Sequence, residues 1–300
     1  MNKNRATIDI GSNSILLLLA QVEPFKEIAK LSEVTSLGKG LDKEKKFRQE
    51  SMDESFNALK SYVELCRRHG VSANEIIATA TEASRVATNA LEFFGKVREE
   101  LGLDVKVISG IKEAELTAKG ILFNTHFNTE SVVIMDIGGA STELIKVNTK
   151  TKTIISSISL KVGSVRVSDW LTEGTFTNAL SKLLSDNSQE IDNYLTPTLY
   201  CVAGTLTSLG NMHLERKEFI EDDVHGLELR RTDIEKMFQK YSDWTPEQFL
   251  EKFPFLGKRS GAIRGGLTLT THLLQRLKVQ EVVVSTYGLR FGSFIEGAVE

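Results

Sequence analysis

Two short segments of the chain carry the same pattern of acidic, small and hydroxyl residues. Residues 9–14 read Asp-Ile-Gly-Ser-Asn-Ser, and residues 136–141 read Asp-Ile-Gly-Gly-Ala-Ser. Backbone amides and hydroxyls in such a turn can bind an anion, and an aspartate beside them can bind a hard divalent cation. The two segments therefore predict a pair of loops that hold phosphate groups together with a metal ion.

Each loop is expected to connect two strands of a hairpin. Apolar, β-branched runs flank both loops, at residues 6–8 and 15–19 and again at residues 132–135 and 144–147. Glycine is expected to let each turn take a positive φ, which brings backbone N–H groups close to a ligand. One such loop would most often be an ordinary β-turn, whereas the repeat favours a functional pair.

The repeat also predicts the architecture. One loop in each half of the chain indicates an α/β protein of two related ribonuclease-H-like domains flanking a cleft, which is the plan of the actin, Hsp70 and sugar-kinase superfamily. We predict that residues 1–118 form the domain with loop 1 and residues 119–288 the domain with loop 2. A C-terminal helix at about 289–300 is expected to pack back on the first domain.

Composition narrows the class of protein. The 300 residues are 41% hydrophobic and 26% charged, with a net charge of −3, so no overall basic field favours nucleic acid or membrane as a partner. We interpret Cys66 and Cys201 as isolated, buried thiols. Free thiols are typical of a reducing compartment, which predicts a cytoplasmic protein. Lys3 and Arg5 resemble the start of a secretory signal, but the polar loop at 9–14 interrupts the apolar stretch that a signal needs. Oligomeric state stays open, with a homodimer as one outcome.

The intervening pattern alternates strands and helices. We interpret residues 76–81 as a buried strand, residues 82–101 as helical and ending at Gly102, and residues 176–194 as helical too. A strand at 105–108 stops at Ser109-Gly110, before a helix over 112–123. These elements are expected to position the side chains that follow the strand ends.

The ordered set of motifs resembles the exopolyphosphatase/guanosine pentaphosphate phosphohydrolase family. The resemblance is carried by the two loops and by shorter marks along nearly the whole chain: Ala78-Thr79-Ala80, Arg85, Asn89, Ser109-Gly110, Glu113-Ala114, Gly163, Gly204-Thr205, Val224-His225-Gly226, Arg259, Gly265-Gly266 and Gly288-Leu289-Arg290. It implies hydrolysis of the terminal phosphoanhydride of polyphosphate, of the 5′-γ-phosphate of pppGpp, or of both. It also implies Mg²⁺ as cofactor, with Mn²⁺ as an alternative metal and dependence on K⁺ left open.

Site residues follow from the resemblance together with the chemistry of phosphoryl transfer. Glu113 is expected to be the general base, Glu143 to hold the attacking water near the metal, and Arg85 to bind the phosphate. The expected metal ligands are Asp9, Asp136 and Glu143. Residues expected to bind substrate phosphates are Gly11, Ser12, Asn13, Ser14, Gly138, Gly139, Ala140, Ser141, Thr142, Gly204 and Thr205.

Departures from the family pattern leave the substrate open. Lys112 stands where a second glutamate is common, and Ala140 replaces a loop glycine. Because the sequence ends soon after the second predicted domain, we expect the helical extension of longer relatives to be absent, which favours shorter polyphosphates or pppGpp. Two other classes of protein stay possible at this stage: an actin-like phosphotransferase, and a noncatalytic alarmone-binding protein that would have no use for Glu113 and Glu143.

Overall fold

The computed structural model describes residues 3–123, 125 and 127–297, without the side chain of Asp42. The chain divides into two compact units. Unit 1 contains residues 1–123 and 289–300, and unit 2 contains residues 124–288. This division falls at Phe123 rather than at the predicted residue 118, because a continuous helix runs from Gly110 to Ile121.

Unit 1 is built on a five-stranded mixed sheet. Its strands are β1 (Asn4–Ile10), β2 (Ser14–Gln21), β3 (Lys26–Val34), β4 (Ile77–Ala80) and β5 (Val105–Val107). The strand order is β3-β2-β1-β4-β5, with β1 to β3 antiparallel and β4 and β5 parallel to β1. Its helices are α1 (Leu41–Glu44), α2 (Gln49–Arg68), α3 (Glu82–Val86), α4 (Ala90–Leu101) and α5 (Gly110–Ile121), with a 3₁₀ turn at Ala73–Glu75.

Unit 2 repeats this scheme with an added edge strand. Its strands are β6 (Ser131–Ile137), β7 (Thr142–Asn148), β8 (Thr153–Leu160), β9 (Thr198–Val202), β10 (Glu228–Arg230) and β11 (Glu281–Val284). The order is β10-β11-β9-β6-β7-β8, so the antiparallel β6–β7–β8 meander again lies beside parallel strands. The helices are α6 (Ser164–Glu173), α7 (Phe176–Asp186), α8 (Ser188–Ile191), α9 (Ala203–His213), α10 (Glu221–Val224), α11 (Arg231–Tyr241), α12 (Pro246–Lys252) and α13 (Ser260–Arg276), with 3₁₀ turns at Asp192–Tyr194 and Pro254–Arg259.

Apolar residues of the strands form the core of each unit. In β2 and β6 the inner positions carry Leu, Ile, Val and Met side chains that are almost fully buried, as expected of strands covered on both faces. The meander plus parallel strands, repeated in both units, is the two-domain ribonuclease-H-like α/β fold that the sequence predicts.

The last helix, α14 (Leu289–Glu296), belongs to unit 1 and packs on α5. Glu296 forms ion pairs with both Lys112 and Lys119 of α5. Gly292 lies directly on the backbone of Leu116. The helix was predicted to reach residue 300, and residues 298–300 lie outside the described part of the chain.

Replacing Gly292 with alanine should destabilise unit 1 by about 1–3 kcal/mol, the usual cost of overpacking a core. The new Cβ would overlap the carbonyl oxygen of Leu116 and lie 2.5 Å from its carbonyl carbon. Gly95→Ala, within α4, is the matched control because no heavy atom lies within 4 Å of its Cβ position. It should stabilise the protein by about 0.4–1 kcal/mol. Urea unfolding of both variants measures the difference, and equal midpoints would contradict this packing.

Candidate active site

The two predicted phosphate loops close with the same hydrogen bond. The Gly11 N–H donates to the Ser14 carbonyl at 3.0 Å, and the Gly138 N–H donates to the Ser141 carbonyl at 3.0 Å. Neither glycine takes a positive φ, so that part of the prediction was wrong. The glycines are favoured for space instead, because a Cβ would lie 3.2 Å from the Ser14 oxygen in loop 1 and 3.3 Å from the Ser141 oxygen in loop 2.

A supporting segment binds the carbonyl oxygens of loop 1. The Gly38 N–H donates to the Ser12 carbonyl at 2.7 Å. The Asn13 carbonyl accepts hydrogen bonds from the N–H groups of Thr35 and Ser36, at 3.1 and 3.0 Å. The segment just after β3 therefore fixes the orientation of these loop peptides.

Loop 2 is supported in the same manner by the N-terminus of α6. The Ser164 N–H donates to the Gly138 carbonyl at 2.9 Å. The Gly139 carbonyl accepts from the N–H groups of Val165 and Arg166, at 3.0 and 3.2 Å. The first amides of α6, which have no partner within their own helix, are thus satisfied by the loop.

This support decides which way the loops present their polar groups. In a trans peptide the N–H points opposite to the C=O, so carbonyls held by the support turn the next N–H groups away from it. The N–H groups of Asn13, Gly139 and Ala140 therefore face away from their supporting segments. That orientation suits the phosphate binding predicted for both loops.

The predicted residues of unit 1 meet at one edge of its sheet. Strands β1, β4 and β5 run parallel, and their carboxyl ends lead into loop 1, Glu82 and Ser109 respectively. The Ser109 hydroxyl caps α5 by accepting the Lys112 N–H at 3.2 Å. This cap starts α5 directly after β5 and places Glu113 in its first turn. Ligands of open α/β sheets bind at the carboxyl ends of parallel strands.

Arg85 is bound by two carboxylates and one carbonyl. Its Nη1 donates to Glu113 Oε2 at 3.0 Å and to the Ile108 carbonyl at 2.7 Å. Its Nη2 donates to Glu113 Oε2 at 3.0 Å and to Glu82 Oε2 at 2.9 Å, and its Nε donates to the same Glu82 oxygen at 3.2 Å. Burial opposes the charge on Arg85, but the two carboxylates outweigh it and raise the pKa of the guanidinium.

Asp9 lies at the end of β1 beside Arg290 of α14. Burial raises the pKa of Asp9 to about 7, although the nearby Arg290 acts in the opposite direction. Burial also lowers the pKa of Arg290 to about 10, despite the attraction of Asp9. A desolvated carboxyl of this kind suits a divalent cation, which would offset the cost of its charge.

In the absence of divalent metal, Asp9→Asn should stabilise the protein at pH 8 by about 1 kcal/mol or more, since one pKa unit corresponds to 1.36 kcal/mol. The folded pKa of Asp9 is about 7 and its ordinary value is 3.8. Above pH 7 the desolvated charge of Asp9 therefore destabilises the native chain, and this destabilisation disappears as the pH falls towards 4. The measurement is urea unfolding of both proteins with a chelator, from pH 8 to 4.

Glu99→Gln, at an exposed position of α4, is the matched control, and its free energy of unfolding at pH 8 should stay within about 0.5 kcal/mol of the native value. A stability difference for Asp9→Asn that widened on acidification would mean that the pKa of Asp9 is lowered in the fold.

Asp136 and Glu143 lie directly opposite each other on β6 and β7. Side chains opposite in an antiparallel pair share a face of the sheet, with Cβ atoms about 4.5–5.5 Å apart. Glu143 is buried and accepts a hydrogen bond from the Ser159 hydroxyl at 2.7 Å. In loop 1 the position opposite Asp9 is Leu16, so the second carboxylate is specific to loop 2.

The carboxylates of Asp136 and Glu143 match the way in which proteins usually bind Mg²⁺. Over residues 3–123, 125 and 127–297, no three His, Cys, Asp or Glu side chains form a group able to hold a metal. Mg²⁺ commonly takes only one or two carboxylates and completes its shell with water and substrate phosphate. Within unit 2, the Asp136–Glu143 pair is two carboxylates of the type that Mg²⁺ takes, as the sequence predicts. Within unit 1, Asp9 is one such carboxylate.

Gly204 and Thr205 lie at the corresponding edge of unit 2. They follow β9, the parallel neighbour of β6, and begin α9. The Thr205 hydroxyl donates to the Ile137 carbonyl at 3.2 Å, so this turn lies against loop 2. Thr142 is fully buried, and its hydroxyl donates to the Val162 carbonyl at 2.6 Å, which gives it a structural contact within unit 2.

Sequence reasoning missed Glu82, Arg290 as a neighbour of Asp9, and Ser159 as a partner of Glu143. The one available signal was the spacing of Glu82 three residues before Arg85, which places both side chains on the same side of a helix. Arg290 lies 281 positions after Asp9 in the chain. Ser159 is opposite Glu143 on the next strand, and that pairing depends on the register between β7 and β8.

Comparison with known proteins gives the family. The model of the Ppx/GppA phosphatase family matches residues 18–299. The chain belongs to this family. The predicted resemblance is thereby confirmed, and the chain is placed among phosphohydrolases.

Two curated relatives and two crystal structures illustrate the similarity. A bifunctional 3-dehydroquinate synthase/phosphatase of Fusobacterium nucleatum is 30% identical over 98% of this chain, which spans about half (46%) of that relative. Exopolyphosphatase 2 of Mycobacterium tuberculosis is 25% identical, with 96% of each chain covered. The Aquifex aeolicus Ppx/GppA family member has a TM-score of 0.76 and 26% identity over 99% of this chain and 97% of its own. An exopolyphosphatase from Cytophaga hutchinsonii shares the fold, with a TM-score of 0.88 and 23% identity over 99% of both chains.

Within the described residues, no helix combines the length and apolar character needed to cross a membrane.

Proposed function

We propose that this protein releases orthophosphate from the end of inorganic polyphosphate, from the 5′ end of pppGpp, or from both. Family membership and the similarity to Exopolyphosphatase 2 support the reaction class. The observation that carries the proposal is that loop 1, Arg85 and Glu113 all follow the carboxyl ends of adjacent parallel strands in unit 1. A phosphate binder, a cation and a carboxylate are the groups that such a hydrolysis needs at one place.

In the proposed reaction, Glu113 accepts a proton from a water molecule as the water oxygen attacks the terminal phosphorus. A new P–O bond forms to the water oxygen, and the bond from phosphorus to the bridging oxygen breaks. The bridging oxygen keeps the electron pair and leaves on the shortened chain. Backbone N–H groups of loop 1 bind the phosphate oxygens in unit 1, where Arg85 offsets charge on the terminal group. Loop 2 is the phosphate-binding loop proposed for unit 2.

Glu113 is the preferred base over Glu143. Glu143 lies opposite Asp136 and accepts the Ser159 hydroxyl, an arrangement suited to a metal ligand. A carboxylate that ligates a divalent metal ion is a weaker base than one paired with a single guanidinium, because the higher charge stabilises the ionised form more strongly. We therefore assign proton transfer to Glu113, and metal binding to Asp9, Asp136 and Glu143.

Mg²⁺, or Mn²⁺ in its place, would neutralise charge on the bridging and terminal phosphate oxygens when bound. The residues of this chain would orient it, since their oxygens are the hard ligands that these ions prefer.

The test is phosphate release by the purified native protein with Mg²⁺, offered pppGpp and polyphosphates of graded length in parallel. Release from at least one substrate, abolished by a chelator and restored by Mg²⁺, is the expected result. The faster substrate then defines the physiological class. Binding of these substrates without release would overturn the proposed hydrolysis.

A further inference from the structure

All five N–H donors of Arg85 already have acceptors inside unit 1. The guanidinium carries one N–H on Nε and two on each Nη atom. The structure gives one contact to Nε, two to Nη2 and two to Nη1, shared among Glu82, Glu113 and the Ile108 carbonyl. A phosphate can therefore reach Arg85 only by displacing one of these three acceptors.

The three acceptors are held in different ways. Glu82 is the first residue of α3 and lies three positions before Arg85 on the same helix, so the two side chains move as one piece. The Ile108 carbonyl belongs to the backbone just after β5. The backbone N–H of Ile108 donates to the Ala80 carbonyl at 3.0 Å. Glu113 lies on a separate helix and reaches Arg85 through a single oxygen, Oε2. Of the three, the Glu113 contact is the one that a phosphate would displace most readily.

Charge favours the same exchange. Arg85 is one cation between two carboxylates, whose side chains are only 17% exposed for Glu82 and 11% exposed for Glu113. A phosphate that takes the Nη1–Nη2 edge of Arg85 replaces one anionic acceptor with another. Glu82 keeps the Nε–Nη2 edge throughout, so the guanidinium stays fixed while its other edge changes partner.

We propose that Glu82 is a positioning residue that keeps Arg85 at the strand edge while the terminal phosphate of the substrate displaces Glu113. Phosphate binding then releases the Glu113 carboxylate at the moment when a proton acceptor for water is needed. This inference rests on the proposed hydrolysis and adds a link between substrate binding and the availability of the base.

The experiment compares Glu82→Gln with the native chain in phosphate release. Without the charge of Glu82, Arg85 has Glu113 as its one carboxylate partner and stays bound to it, so kcat should fall at least about tenfold, the value of a hydrogen bond to a charged group. KM should not rise, because removal of a negative charge does not weaken the binding of an anion. A purely structural role would lower the fraction of folded protein instead, which a melting curve detects.

Glu44→Gln is the matched control. Glu44 binds the Nε–Nη2 edge of Arg48 from four residues before it, on the exposed surface of the same unit. Its removal should leave both kcat and KM within about twofold of the native values.

A double-mutant cycle adds a readout that helix stability would not move. In an Arg85→Ala background, Glu82→Gln should have no further effect on kcat, because Glu82 acts through Arg85. Independent, multiplicative losses would overturn the proposal. If Glu82→Gln does not fold, Glu82→Ala takes its place with the same requirement on kcat and KM.

The outcomes separate the two levels of inference. If the native chain releases phosphate and the folded Glu82→Gln variant has the same kcat, the positioning role is overturned. The proposed hydrolysis then still stands. No phosphate release from the native chain and from Glu44→Gln alike would overturn the hydrolysis, and the positioning role with it.

Discussion

Glu113→Gln should lower the rate of phosphate release by about 10²–10⁴-fold, the range that general acid–base catalysis contributes. Glutamine keeps a carbonyl oxygen that can accept from Arg85, but it cannot take a proton from water at neutral pH. The side chain lies in the first turn of α5, which the Ser109 cap and the ion pairs of Glu296 hold in place. The loss should therefore appear in kcat, with little change in melting temperature.

Glu115→Gln is the control for this variant. Glu115 lies on the same helix, with its side chain 43% exposed and paired with Lys112. It should retain phosphate release close to the native rate. If Glu113→Gln kept more than about a tenth of the native kcat, Glu113 would not be the base, and Glu143→Gln would be the next variant to measure.

Gly163→Ala should lower phosphate release by about 10²-fold, the effect expected of a 1 Å displacement of a group that positions the substrate. A Cβ on Gly163 would lie 2.5 Å from the carbonyl carbon of Gly139 and 2.7 Å from the backbone nitrogen of Ala140. These are backbone atoms of loop 2, which cannot rotate aside as a flexible side chain would. The substitution should push the loop away from the N-terminus of α6 and turn its N–H groups out of place.

The matched control is Gly261→Ala, in α13 of the same unit. No heavy atom lies within 4 Å of its Cβ position. It should leave phosphate release unchanged and raise stability slightly, because alanine is the better helix former. Equal activities of the two alanine variants would show that loop 2 either tolerates displacement or does not bind the phosphate.

The helices near the site show how far the sequence pattern reaches. The helical segment predicted over residues 82–101 contains two helices, because α3 ends at Val86 and α4 begins at Ala90. The break has a tertiary cause. The Asn89 side chain accepts the Phe47 N–H at 2.8 Å and donates to the Phe47 carbonyl at 3.1 Å.

The helical segment predicted over residues 176–194 also divides, at Asn187, but here the contact is local. This residue lies between α7 and α8, and its side chain donates to the Leu183 carbonyl at 2.8 Å. Strand β3 carried no signal in the sequence, because most of its positions are exposed and its apolar residues do not alternate.

The repeated loops, their flanking strands and the helix over Glu113 were determined by the sequence alone. Their signals are local: alternating or continuous apolar runs, a serine cap and small residues at a tight turn all act within a few positions of the chain. The same locality explains why the family motifs fall at strand ends, where a short run of residues decides both the turn and the groups it presents.

Only the tertiary structure decided which charged groups meet. Glu113 binds Arg85 from 28 residues away, and Glu296 pairs with Lys112 across 184 residues. Such contacts depend on the order of parallel strands and on the return of α14 to unit 1, and neither leaves a periodic trace in the sequence. Apolar spacing records which face of an element is buried, whereas the pairing of charges at an edge depends on which elements become neighbours when the chain folds.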